Sequence, residues 1–154
     1  MSFKSSLAVS ALMVASLTPV EAKPMENLDI VKSTYEGDTA EENGRNLQKY
    51  LAENARWREA DGFPLAGTYI GPKAIEENVF KRIAEGWSEY RFEVEGYIAE
   101  GDKVAAYGTY YGTYAKTGKS FEARVTHIWT LKDQKIIAFE QFVDSKPVVD
   151  AMQK

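Results

Sequence analysis

RVTHIWTLKDQKIIAFEQFVD, residues 124–144, alternates apolar and polar side chains on either side of a KDQK break, the period-two pattern of two antiparallel strands joined by a tight turn. The register of that hairpin has two readings. A two-residue turn at Asp133 and Gln134 pairs His127 with Glu140, whereas a three-residue loop with a bulge at Gln134 pairs His127 with Phe139 and Trp129 with Ile137. The second is preferred. It gathers Val125, His127, Trp129, Leu131, Ile137, Phe139, Gln141 and Val143 on one mostly apolar face and leaves Arg124, Thr126, Thr130, Glu140 and Asp144 on the other. It requires Gln134 to adopt a left-handed conformation better suited to glycine. His127, the only histidine in 154 residues, then lies diagonally across from Gln141 among apolar neighbours. Burial there keeps the imidazole neutral unless a carboxylate is close, and Glu59 is the candidate for that carboxylate.

Working outward, the same alternation runs through Tyr90–Glu95, Val104–Tyr114 and Phe121–Leu131, with turns at Gly101-Asp102 and at AKTGK. Val104, Ala106, Gly108, Tyr110, Gly112 and Tyr114 share one face, where two glycines beside tyrosines are expected to leave room for a cavity. Gly71 and Pro72 open a helix whose Ile75, Val79, Ile83 and Trp87 recur every fourth residue. Before it, ARWREAD (55–61) alternates as a strand with Trp57 and Glu59 on one side, and GFPLAGTYIGP reads as a loop or short strand. Leu28, Val31 and Tyr35, then Leu47, Tyr50 and Leu51, mark two short amphipathic helices, and DSKPVVDAM closes the chain with a short helix capped by Asp144 or Ser145. Helices laid on one face of a long, curved antiparallel sheet make an α+β fold in which a cone encloses a pocket.

Composition narrows the chemistry. With 44% apolar residues the chain can fill a core, and a formal charge of −4 gives no basic footprint for nucleic acid. There is no cysteine, and one histidine cannot assemble the usual zinc sites. No phosphate-binding glycine motif is present, so the expectation is chemistry by side chains alone, with no cofactor and no metal. Lys4, the uncharged stretch LAVSALMVASL (7–17), Pro19 and the small residue Ala22 read as a secretory signal cleaved after Ala22, too short to span a bilayer. The expected organisation is a signal peptide at 1–22 and one domain at 23–154, periplasmic or secreted and free of the membrane after cleavage.

The run WREADGFPLAGTYIG (57–71), followed by His127-Ile128-Trp129 and by Gln141-Phe142-Val143-Asp144, resembles the SnoaL-like branch of the ketosteroid isomerase and nuclear transport factor two superfamily. The resemblance extends from about Leu28 to Met152. It implies a cone-shaped α+β barrel, commonly a homodimer through the outer sheet face, with a deep apolar pocket and members that act without a cofactor as isomerases, cyclases, dehydratases or hydrolases. In the cyclases a histidine on the penultimate long strand is followed on the last strand by an aspartate base. His127 matches the histidine, but Gln141 stands where the aspartate would be and cannot take a proton.

The candidate catalytic residues are therefore His127 as base, Glu59 to orient it and Asp61 as the substitute acid should Glu59 face outward, since such chemistry needs a base near neutral pKa beside a donor in a dry pocket. Trp57, Tyr110, Trp129, Phe139 and Gln141 are expected to bind substrate, Tyr110 and Gln141 by donating to a developing oxyanion. Asp144 is left to helix capping. Two functions remain open: an acid–base enzyme acting on a small apolar carbonyl or hydroxyl compound, and a non-catalytic carrier of a small hydrophobic molecule.

Overall fold

Helix α1 (Asn27–Ser33) and helix α2 (Ala40–Tyr50) form where the amphipathic stripes fall, and Thr39 caps the second by accepting the Glu42 N–H at 3.1 Å. They lead into β1 (Leu51–Glu59) and the short β2 (Gly67–Ile70). Pro72 then sits in the first turn of α3 (Gly71–Ile75), which runs through a π-helical turn at Glu76–Phe80 into α4 (Lys81–Gly86). Four long strands follow, β3 (Trp87–Glu100), β4 (Lys103–Tyr114), β5 (Ser120–Lys132) and β6 (Lys135–Val143), before α5 (Ser145–Met152). Asp144 caps α5 as read, accepting the Lys146 N–H at 3.3 Å. This is a computed structural model describing residues 25–154, and the signal peptide read at 1–22 lies outside the described residues. No helix among the described residues is long and apolar enough to cross a membrane.

The strands make one sheet in the order β2-β1-β6-β5-β4-β3, antiparallel except where β1 runs parallel to β6. It is curved and unclosed, and helices cover its concave face, the α+β arrangement that the alternation implied. Two bulges bend β3, between Ser88 and Arg91 and between Val94 and Gly96. Trp87, fourth in the helical stripe, instead starts β3 in an extended conformation and pairs with Tyr114. The helical spacing was coincidental at its last member.

The hairpin register is a correction to both readings of the sequence. The turn is the two-residue one, with Asp133 and Gln134 both left-handed (φ 50° and 60°) and Lys132 paired with Lys135. One extra residue on β6 beside Ile137 then shifts the register, so that Trp129 pairs with Phe139 and His127 directly with Gln141. Ile136, not Ile137, is buried as a result. The driving force is hydrophobic: without the bulge, Phe139 and Gln141 would face outward.

The two glycines of β4 do not make the cavity. A side chain at Gly108 would strike the Glu93 carbonyl oxygen of the bulged β3, and one at Gly112 would lie 2.8 Å from the Phe121 ring. They permit close approach of a backbone and a ring, and the open space lies elsewhere.

Candidate functional site

Two rows of side chains cross the concave face. Trp57, Phe139 and Trp129 are register neighbours on β1, β6 and β5, and the next row carries Gln141 beside His127 beside Ala106. The first row is an aromatic floor: Trp57 stacks on Phe139 at 3.7 Å between centroids, and Trp129 meets Phe139 edge-on at 4.7 Å. Between this face and the helices lies a cavity of about 230 Å³, roofed by Leu47, Val79, Phe80 and Ile83. A cavity of roughly 150 Å³ holds benzene, so this one has room for a single substituted ring and little more.

His127 is 5% exposed and points inward, as expected. Both ring nitrogens are occupied by phenols: Nδ1 lies 2.6 Å from the Tyr35 hydroxyl and Nε2 2.5 Å from the Tyr110 hydroxyl. Burial, with no charged partner, drives the imidazole pKa down to about 3. The phenols are held in turn. The Trp129 indole donates to Tyr35 at 3.0 Å, and the Gln141 amide donates to Tyr110 at 3.3 Å while its carbonyl accepts the Ala60 N–H at 3.2 Å. Burial raises the pKa of both tyrosines well above 10.

Glu59 also faces inward, only 2% exposed. It does not orient His127. Its Oε1 accepts the Trp57 indole N–H at 2.7 Å, and its Oε2 is buried with no hydrogen-bond partner. Burial raises its pKa to about 7, an effect that the Trp57 N–H and, more weakly, the nearby Gln141 amide partly offset. Asp61 is corrected as well: its side chain is 88% exposed, and it pairs with Arg58 at 3.4 Å outside the cavity. The chain turns at Ala60, where β1 has ended, and carries Asp61 into solvent.

The five expected binding residues, Trp57, Tyr110, Trp129, Phe139 and Gln141, all line the cavity. Sequence reasoning missed Tyr35, Tyr90 and Phe92, which line it too. Tyr35 had passed for the end of an apolar helical stripe, but α1 stops at Ser33 and the turn delivers the phenol to His127. A tyrosine in an otherwise aliphatic stripe, with a lone buried imidazole elsewhere in need of partners, was the available signal. Among the described residues, no group of three or more His, Cys, Asp or Glu could hold a metal ion.

A family model described as a SnoaL-like domain matches residues 28–139. Among solved structures, an NTF2-like protein of Burkholderia thailandensis is 39% identical over 85% of this chain and 100% of its own, with a TM-score of 0.80. An NTF2-like protein of unknown function from Burkholderia pseudomallei is 21% identical over 83% of this chain and 98% of its own, TM-score 0.74. A putative SnoaL-like polyketide cyclase from Shewanella denitrificans is 18% identical over 82% and 96%, TM-score 0.66. The last two share the fold alone. No protein of curated function matches.

Proposed function

The chain belongs to the SnoaL-like domain family, and from that premise we propose that it is a cofactor-independent acid–base enzyme acting on a small, largely apolar carbonyl compound. Glu59, rather than His127, is the base. The observation that carries this reading is the Glu59 Oε2 atom, buried and without a hydrogen-bond partner on a residue that lines an aromatic cavity. A carboxyl raised toward pH 7 is matched to proton abstraction near neutrality.

In the proposed step the Glu59 carboxylate takes a proton from the carbon beside the carbonyl. The C–H electron pair becomes the new C=C bond, the carbonyl π pair moves to oxygen, and a phenolic O–H of the Tyr35–Tyr110 pair donates to that oxygen. Return of a proton to the same carbon gives exchange alone. Where the substrate carries a C=C one carbon further on, a β,γ-unsaturated ketone, return of the proton from Glu59 to the γ-carbon of the dienolate moves that double bond into conjugation and completes an isomerisation with nothing consumed. His127, neutral and held on both nitrogens, takes no proton in this scheme.

The test is hydrogen–deuterium exchange of small cyclic ketones in D2O, followed by mass. Exchange is expected to accelerate with the protein present, and the rate to rise with pH through about 7 as the carboxylate forms. A second reading, a non-catalytic carrier, is favoured by one observation: both His127 nitrogens bond to phenols and neither to a carboxylate. Ketones that bind but exchange only at the background rate would establish the carrier and remove the enzyme.

We also propose an exported homodimer. Residues 1–22 supply the leader, and the exposed Ile98 and Phe142, 66% and 53% accessible, supply apolar surface for the partner. Sedimentation and intact mass of protein from the expressing cell should give a dimer beginning at Lys23; a monomer, or a chain retaining 1–22, contradicts the corresponding half.

A further inference from the structure

The Tyr35–His127–Tyr110 chain imposes a proton inventory on the cavity. A neutral imidazole carries one N–H and one lone pair, and each phenol one proton and two lone pairs. Each phenol oxygen already accepts one hydrogen bond from a fixed donor, the Trp129 indole at Tyr35 and the Gln141 amide at Tyr110. With the ring proton on Nε2, Tyr110 accepts from both His127 and Gln141, so its own O–H is free. Tyr35 then donates to Nδ1 and keeps one lone pair free. With the proton on Nδ1 the roles exchange. In either tautomer the chain itself keeps one phenolic proton and one phenolic lone pair, on opposite sides of the ring, and both phenols line the cavity. The Tyr90 phenol, whose ring packs on Tyr110 and whose buried hydroxyl makes no hydrogen bond, stands outside that chain.

We propose that Tyr35 is a ligand-binding residue on a par with Tyr110, that His127 is a positioning residue whose tautomer selects which phenol donates, and that the ligand is an uncharged hydroxy-carbonyl ring compound. The ligand needs an oxygen that accepts and another that donates. It carries no negative charge because the one cation lining the cavity, Arg91, is exposed and paired with Glu93 at 2.9 Å, and no positive charge because the one carboxyl lining it, Glu59, is the base of the proposed function. This inference rests on the cavity being a ligand site, as the proposed function holds.

The single histidine makes the tautomer readable without assignment, by 15N–1H correlation of the imidazole. In the wild type both tautomers satisfy the same number of groups, so both nitrogens should show averaged shifts. Tyr35→Phe should drive the proton to Nε2 and Tyr110→Phe to Nδ1, because an orphaned buried N–H costs more than an orphaned lone pair. The same tautomer in all three proteins, or an imidazolium at neutral pH, would overturn the switch. Binding supplies the second arm. The wild type should bind 4-hydroxycyclohexanone about tenfold more tightly than cyclohexane-1,4-dione, one hydrogen bond's worth. Each Phe variant keeps a free O–H on the remaining phenol, but the one free lone pair of the chain is then on the uncovered imidazole nitrogen rather than on a phenol oxygen, so the preference should fall in both. A preference retained in full in either variant overturns the assignment of Tyr35 and Tyr110. If the tautomers switch as expected but no form binds either ring, the ligand assignment fails with the cavity reading while the role of His127 stands. Should a variant fail to fold, movement of the wild-type ring shifts on titration with 4-hydroxycyclohexanone supports the switch, and its absence on binding overturns it.

Discussion

Glu59→Gln should give a protein more stable than the wild type at pH 8 and slower by about 10²–10⁴ in proton abstraction, the usual contribution of a positioned base. The sign of the stability change follows from linkage. The folded carboxyl has its pKa raised to about 7 from the ordinary 4.5, so between those pH values the folded state holds a proton that the unfolded chain has lost. Stability from this group is fully present below about pH 4.5 and falls as pH rises, with the loss complete above about 7. The difference is on the order of 3 kcal/mol. Gln carries no such penalty, so the variant gains on the wild type as pH rises across the window. His127 has the opposite slope. Its pKa is lowered to about 3 from 6.5, so its contribution is complete above about 6.5 and is lost as pH falls toward 3. The two slopes cancel between about pH 4.5 and 6.5, and removing Glu59 unmasks the rise due to His127. Urea denaturation of both proteins at several pH values reads this directly; curves that stay parallel from pH 4.5 to 8 would refute it.

Trp129→Ala should cost about 3–5 kcal/mol of stability, the range for deleting a large aromatic from a packed interior. Trp129 is 2% exposed and meets Trp57, Phe139 and Tyr35 edge-on at 5.6, 4.7 and 5.9 Å. Its removal opens a void in the aromatic floor and strips Tyr35 of its indole donor. Trp129→Phe should recover much of the packing and none of that hydrogen bond. Denaturant midpoints separate the two, and a loss below about 1 kcal/mol for the alanine variant would mean that the floor is not the packed layer described here.

The fold was legible because sheet faces obey a period of two. Trp57 and Glu59, Val125 and His127, Phe139 and Gln141 could be assigned to one side from alternation alone, and one side proved buried. The hairpin register was not legible, since a bulge beside Ile137 leaves no mark on the pattern: Ile136 and Ile137 are both apolar. The site was half legible. Inward-facing residues could be listed, but not which of them touch. Tyr35 sits 92 positions from His127, and only the turn after α1 brings its hydroxyl to Nδ1. The inward direction of Glu59 followed from Trp57; its indole partner and its unpartnered second oxygen depend on rotamers that sequence does not encode. Asp61 was the substitute should Glu59 face outward; Glu59 faces inward, and Asp61, past the end of β1, lies in solvent.

On the proposed mechanism Glu59, which lines the cavity and has one buried oxygen without a partner, titrates near neutrality. The most direct test is a 13C NMR titration of glutamate side-chain carboxyls in the wild type, with the Glu59 signal identified by its loss in Glu59→Gln. A midpoint near 7 is the predicted result. A midpoint in the ordinary glutamate range, near 4.5, would contradict it.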